Sequence, residues 1–294
     1  MAIFKGAGVA LVTPFHEDES VNYDALEALI EMQIEGQIDA IIVCGTTGEP
    51  STMTEEERES VIRFVIEKVN KRVPVIAGTG CNNTKDAIEM SKKAEELGAD
   101  GLLVVTPYYN KATQEGLFLH YKAIADEVKI PIIMYNVPSR TGCNILPETA
   151  VRIARECKNV VAIKEASGNI AQIVNLALLG KGMLDIYSGN DDEVVPILSL
   201  GGIGVISVLA NIAPRDTHNM VMEYLEGDRE KALDIQLRYL EVIHALFCEV
   251  NPIPVKAALN LMGKKAGALR LPLTEMSKKN QTVLKLAMEE AGLI

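Results

Sequence analysis

The chain has 294 residues, 48% of them hydrophobic, with 29 basic against 40 acidic side chains and a formal charge of −11. That length buries a large core and fits one barrel-sized domain plus an appendage, or two smaller domains. The acidic balance opposes nucleic-acid binding and adsorption to anionic membranes, and the basic pairs Lys264-Lys265 and Lys278-Lys279 suit a solvated helix face better than a basic patch. Five scattered cysteines (Cys44, Cys81, Cys143, Cys157, Cys248) with no C-x-x-C suit a reducing cytosol rather than a disulfide framework. No apolar stretch approaches the ~18 residues of a membrane span. The opening Met1-Ala2-Ile3-Phe4-Lys5-Gly6 lacks the apolar run of a signal peptide. A soluble, cytoplasmic protein is expected.

In chain order, short β-branched runs recur at Val9–Val12, Ile41–Cys44, Val75–Ala77, Leu102–Val105, Ile132–Tyr135, Val160–Lys164, Leu184–Tyr187 and Val205–Val208. Helical patterns lie between them. Thr54 and Glu57 form a capping box before a helix with Val61, Phe64, Val65 and Val69 on one face. Thr84 opens a helix with Ala87, Met90, Ala94 and Leu97 inward, and Gly98 stops it. Asn169 caps the helix carrying Ile173, Leu176 and Ala177. Eight strand–helix units in about 225 residues predict an α/β fold, a (β/α)8 TIM barrel, for which ~250 residues is usual. The structural runner-up is an open doubly wound sheet, but its G-x-G-x-x-G fingerprint is replaced by Val12-Thr13-Pro14-Phe15 after the first run.

After Gly227 the strand signal ends, and 228–250, 253–262 and 274–291 read as three helices punctuated by Asn251-Pro252-Ile253-Pro254 and Leu271-Pro272-Leu273. The expected organisation is a catalytic barrel over 1–227 and a C-terminal three-helix extension over 228–294, with no low-complexity linker between them.

Barrel active sites lie at the carboxyl ends of the strands. Those ends here carry Gly45-Thr46-Thr47-Gly48-Glu49, Thr106-Pro107-Tyr108-Tyr109-Asn110, Tyr135-Asn136-Val137-Pro138-Ser139-Arg140, Lys164-Glu165 and Ser188-Gly189-Asn190-Asp191-Asp192. Lys164 ends an otherwise buried strand. An ammonium there needs a partner or sheds its proton, and a neutral lysine attacks carbonyls to form a Schiff base. Lowering a lysine pKa from ~10.4 to ~7.5 raises its neutral fraction at pH 7 from about 1 in 2,500 to about a quarter, at roughly 4 kcal/mol. Tyr135, one strand away, can donate and accept protons, a hydroxyl such as Thr47 can orient it, and Arg140 offers a fork for a carboxylate. Glycines such as Gly189 let a ligand approach the backbone. Taken singly, each has a plainer reading: a snorkelling lysine, a packed tyrosine, turn threonines, a surface ion-pair arginine, interface packing for Tyr108-Tyr109. Their shared rim argues against coincidence.

Other chemistries fit less well. His16, His120, His218 and His244 form no ligand-spaced pair, so no metal is expected. Gly201-Gly202-Ile203-Gly204 precedes the eighth strand and so lies at the opposite rim, while Asp191 and Asp192 oppose a phosphate; an unphosphorylated, carboxylate-bearing substrate is expected. Cys44 reads as a buried small hydrophobe.

Gly45-Thr46-Thr47-Gly48-Glu49, Tyr108-Tyr109-Asn110, Tyr135-Asn136-Val137-Pro138-Ser139-Arg140-Thr141-Gly142 and Val161-Ala162-Ile163-Lys164-Glu165-Ala166-Ser167-Gly168 together resemble the 4-hydroxy-tetrahydrodipicolinate (dihydrodipicolinate) synthase family of Schiff-base pyruvate lyases, across essentially the whole chain. The resemblance implies an enzyme of the diaminopimelate route of lysine biosynthesis that condenses pyruvate, bound to Lys164, with L-aspartate 4-semialdehyde. By position it implies a proton relay of Tyr135, Thr47 and Tyr109, the last from a neighbouring subunit. Arg140 would hold the semialdehyde carboxylate, and Thr46, Thr47, Gly189 and Ile206 would bind or position the substrates. It also implies no cofactor, and a homotetramer built from dimers. Some members are inhibited by L-lysine near the positions of Pro50, Ser51, Glu55, Arg58, Asn82, Asp86 and Tyr108. Sensitive relatives often carry histidine for Glu55 and glutamate for Asp86, so weak or absent inhibition is expected here. The rivals are a sibling aldolase, acting on N-acetylneuraminate or a keto-deoxy sugar acid, and a silent barrel that binds a keto acid without turnover.

Overall fold

The computed structural model describes residues 2–294. Strands β1 (Gly6–Ala10), β2 (Ala40–Val43), β3 (Val75–Gly78), β4 (Gly101–Val105), β5 (Ile132–Asn136), β6 (Val160–Glu165), β7 (Asp185–Ser188) and β8 (Gly204–Ser207) pair in parallel in chain order, and β8 closes on β1. Closure explains why the runs read as almost continuously apolar: both faces of each strand are buried. Ala40, Ile42, Ile76, Leu103, Ile133 and Ile206 fill the barrel, while Ile41, Val43, Val75, Leu102, Val104 and Ile163 face the surrounding helices. The floor is closed by Tyr187, whose ring stacks on Phe4 with centroids 4.4 Å apart and whose hydroxyl donates to Phe4 O at 2.6 Å.

Local signals hold where a specific side chain makes them. Thr54 and Glu57 form the capping box of the helix Glu55–Val69, Gly98 ends Thr84–Leu97 at φ 93°, and Asn169 accepts from Gln172 N ahead of Ile170–Gly180. Several bounds differ from expectation. The first strand runs Gly6–Ala10 rather than Val9–Val12, because the Val12 N–H is taken by the Asn211 side chain at 3.2 Å instead of a neighbouring strand. Cys44 leaves β2 because its backbone turns left-handed, φ 53°. Met90 does not join the core; it lines a surface groove, with Arg58 Nη1 3.0 Å from its sulfur.

The expected helix over 228–250 is broken into Arg229–Arg238 and Leu240–Leu246. The break falls at Tyr239, whose hydroxyl donates to Asp216 Oδ2 at 2.5 Å, the carboxylate that Arg238 also pairs with at 2.9 Å. The final helix is Lys278–Glu290 rather than 274–291, since Ser277 is its cap and is itself held by Glu249. With Ile253–Leu261, four helices follow Gly227 rather than three.

These helices are tied to the segment after β2. Lys256 Nζ lies 2.5 Å from Glu49 Oε1, both side chains being essentially fully buried, and donates to Ala268 O at 2.8 Å. Arg270 forks onto Glu57 at 2.8 and 2.6 Å and donates to Thr52 O at 2.8 Å. The Phe15 ring faces both cations, 4.3 Å from Lys256 Nζ and 4.2 Å from Arg270 Cζ. Removing one member of a buried pair strands the other charge, which costs about 3–5 kcal/mol, whereas apolar replacement of both is near neutral. Glu49→Leu should therefore lower the guanidinium midpoint sharply, and Glu49→Leu with Lys256→Met should recover most of it; equal midpoints for the single and double variants would contradict this account.

Candidate active site

Along β6 alternate side chains enter the barrel, so Ala162 and Lys164 point inward while Ile163 packs against the helices. Parallel register sets Tyr135 of β5 and Tyr187 of β7 beside Lys164. Lys164 Nζ stands 4.3 Å from the Tyr135 ring centroid, and the two residues are only 5% and 6% exposed. They line a cavity of about 140 Å³ with Thr46, Thr47, Arg140, Gly189, Val208 and Asn251 among its walls. At ~30 Å³ per water, that is room for about five waters, the scale of a small keto acid.

Burial is the main cause pushing the Lys164 pKa down to about 7; the Asp191 carboxylate opposes the shift and Arg140 assists it. The amine is thus close to half neutral at pH 7 and competent as a nucleophile. Burial pushes the Tyr135 phenol up, against the Arg140 charge and a polar contact with Thr46. Tyr135 therefore stays protonated and can donate. Asp191, buried, also has a raised pKa; its Oδ2 accepts from Val208 N and Leu209 N at 3.0 and 2.9 Å, which fixes the turn after β8.

The other expected site residues fall as follows. Thr46 and Thr47 both reach the cavity, but the hydroxyl contact to Tyr135 comes from Thr46, while Thr47 Oγ1 accepts from Asn251 Nδ2 at 2.9 Å. At Gly189 a Cβ would come within 2.7 Å of Ala166 Cβ and 3.1 Å of Lys164 Cε, so only glycine leaves the lysine its place. Ile206 is fully buried in the barrel filling. Tyr109 stands apart from Lys164's immediate surroundings: it is 90% exposed, at φ 65°, on the loop after β4. It lines a larger groove of about 920 Å³ that adjoins the cavity through Thr46, Tyr135 and Arg140. The same groove gathers Pro50, Ser51, Glu55, Arg58, Asn82, Asp86 and Tyr108.

Two features escaped the sequence reading. Asn251 and Phe247, from the C-terminal segment, wall the cavity. Asn251-Pro252 reads as helix punctuation in the sequence, and nothing local marks it as part of a site. Behind β6, Glu165 is buried and accepts from Asn136 Nδ2 at 3.1 Å and Ser167 N at 2.8 Å, while Asn136 Oδ1 accepts from Ile145 N at 3.0 Å. This network ties the chain just after Lys164 to the end of β5 and to Ile145, beyond the Arg140 turn.

A closed (β/α)8 barrel with a desolvated lysine beside a tyrosine at the strands' carboxyl ends defines a Schiff-base lyase or aldolase architecture. The dihydrodipicolinate synthetase family model matches residues 3–291. A 4-hydroxy-tetrahydrodipicolinate synthase of Lachnoclostridium phytofermentans is 60% identical over 294 residues, all of both chains. The chloride-inhibited dihydrodipicolinate synthase of Acinetobacter baumannii, solved with pyruvate, superposes with TM-score 0.96 at 45% identity, 99% of each chain being covered. A monomeric dihydrodipicolinate synthase variant superposes with TM-score 0.97 at 46% identity, covering 99% of this chain and 98% of that one. The chain belongs to the dihydrodipicolinate synthetase family.

The lysine's depressed pKa has a stability consequence. In the unfolded chain Lys164 titrates near 10.5, in the folded protein at about 7, so between these values the unfolded state binds more protons and stability rises with pH. Lys164→Met removes this dependence. From pH 7 to pH 9 the wild type should gain on the order of 2–3 kcal/mol relative to Lys164→Met in denaturant unfolding. A constant difference across that range would mean the amine is not held near neutrality.

Proposed function

We propose that the protein condenses pyruvate with L-aspartate 4-semialdehyde to 4-hydroxy-tetrahydrodipicolinate in the diaminopimelate route of lysine biosynthesis, in the cytoplasm. The observation that carries this reading is Lys164, desolvated and beside Tyr135 in a cavity scaled to a keto acid, in a chain 60% identical to an enzyme of that name. The neutral amine attacks the pyruvate carbonyl, and the carbinolamine loses water to give the imine. Loss of a methyl proton gives the enamine, whose carbon bonds to the semialdehyde's aldehyde carbon while the aldehyde oxygen takes a proton. The semialdehyde's amine then attacks the imine carbon, closing the ring and releasing Lys164.

Each proton needs a carrier. Tyr135, protonated and next to the amine, is the first, and the Thr46 hydroxyl, in polar contact with it, is the second, while Thr47 lines the cavity on the keto-acid side. Tyr109, solvent-facing at the rim, completes the relay by reaching the site of a neighbouring copy. Arg140, at the junction of cavity and groove, holds the semialdehyde carboxylate. Gly189 keeps space for the imine, and Ile206 supports the layer beneath it. No cofactor or metal enters these steps.

The assembly that fits is a homotetramer, a dimer of dimers. Tyr109 offers one contact. A second is the stripe of Ile170, Val174 and Leu178, an i, i+4, i+8 series left partly exposed on the helix Ile170–Gly180. The barrel over 1–227 then carries the chemistry and 228–294 the brace. The groove residues Pro50, Ser51, Glu55, Arg58, Asn82, Asp86 and Tyr108 match the surface at which some relatives are inhibited by L-lysine, but Glu55 and Asp86 depart from the lysine-sensitive pattern, so inhibition here is weak or absent.

Borohydride with pyruvate should reduce a covalent adduct onto Lys164, found by peptide mass mapping; an unmodified Lys164 would leave a silent keto-acid binder. With pyruvate present, product should form with aspartate semialdehyde. Condensation confined to N-acetylmannosamine or another sugar aldehyde would favour the sibling aldolase. L-lysine at low-millimolar concentration should leave the steady-state rate nearly unchanged, and clear inhibition there would refute the regulatory reading.

A further inference from the structure

A hydroxyl has one proton and two acceptor lone pairs. On Thr47, 3% exposed, one lone pair accepts the Asn251 amide at 2.9 Å, and the proton has no acceptor among the described residues. Both residues wall the cavity. Asn251 is itself 5% exposed and is joined to the helix Ile253–Leu261, whose Lys256 pairs with Glu49, two residues beyond Thr47. The loop after β2 and the C-terminal segment are therefore tethered twice, once at the wall and once behind it.

We propose that Asn251 is a positioning residue: by donating to Thr47 Oγ1 it directs the Thr47 proton into the cavity, where it binds the carboxylate of the keto acid joined to Lys164. This rests on the Schiff-base reading above. Without the amide donor, the hydroxyl rotates among several orientations and loses its fixed aim at the ligand. The C-terminal extension then contributes to substrate binding through one hydrogen bond, without touching the reacting carbon.

The test is a double-mutant cycle read in pyruvate KM and kcat. Asn251→Leu keeps the side-chain volume and removes the donor. It should raise pyruvate KM about tenfold, the scale of one hydrogen bond to a charged group, with a much smaller change in kcat. In a Thr47→Val background the same substitution should raise KM no further, because the hydroxyl it acts through is gone. An equal rise in both backgrounds, or an unchanged KM, would overturn the proposal. If Asn251→Leu does not fold, Asn251→Ala, which removes the donor without adding a charge beside the keto-acid carboxylate, takes its place in the cycle, and the outcomes read the same way. Borohydride trapping on the wild type separates the two levels of inference. A trapped Lys164 with additive KM effects sinks only the role of Asn251, whereas an untrapped Lys164 sinks the Schiff-base reading and this proposal with it.

Discussion

An amine inside an apolar barrel must be cheap enough to bury and basic enough to use, and the mouth of this barrel is arranged around that tension. Desolvation drives the Lys164 pKa to about 7, and Arg140 pushes the same way. Asp191 is the counterweight. Were its charge fully available to Lys164, the ammonium would be favoured and the nucleophile lost. Its Oδ2 accepts from the Val208 and Leu209 amides, which holds the carboxylate in place, and its pull on the amine is weaker than the effect of burial. The residual attraction keeps the amine titrating in the neutral range, where an imine can both form and be hydrolysed.

Fixing that balance requires rigid walls. Gly189 is the clearest case, since an added methyl would collide with Ala166 Cβ and crowd the lysine's own Cε. The Glu165–Asn136 network is another. It sits on the outer side of β6, where Glu165 is fully buried, and ties β5, β6 and the segment at Ile145 into one unit. The strand end that carries the lysine is held from behind by groups that do not line the cavity.

The parts readable in the sequence were those with local causes. Eight apolar runs at regular spacing, a capping box and helix-stopping glycines specify the barrel through periodicity and backbone preference alone. Lys164, Tyr135, Arg140 and Gly189 could be picked out because the strand spacing sets them all on one rim of the barrel, although each alone has a plainer reading. Asn251 could not, because its role comes from a contact with Thr47 across 204 residues of chain. For the same reason the split at Tyr239 was hidden: periodicity continues through it, and only the distant Asp216 reveals why the helix turns. The choice between Thr46 and Thr47 as Tyr135's contact was equally out of reach, since adjacent residues of one type differ only in where the folded loop aims them.

That aim depends on strain. Cys44 and Glu49, which bracket the Gly45–Gly48 turn, both hold positive φ, 53° and 56°, without being glycine. Such residues cost about 1–3 kcal/mol each and persist only where surrounding contacts over-determine them. Here the contacts come from the C-terminal helices and the turns between them: Lys256 of Ile253–Leu261 on Glu49, Asn251 just before that helix on Thr47, and Arg270 beyond it on Thr52 O. A barrel needs no such helices to close, and this one closes β8 on β1 before they begin. Their physical work is instead to hold a strained turn in the one conformation that presents both threonines to the cavity. The turn after β2 and the last helices of the chain are therefore one device, distant in sequence and inseparable in energy.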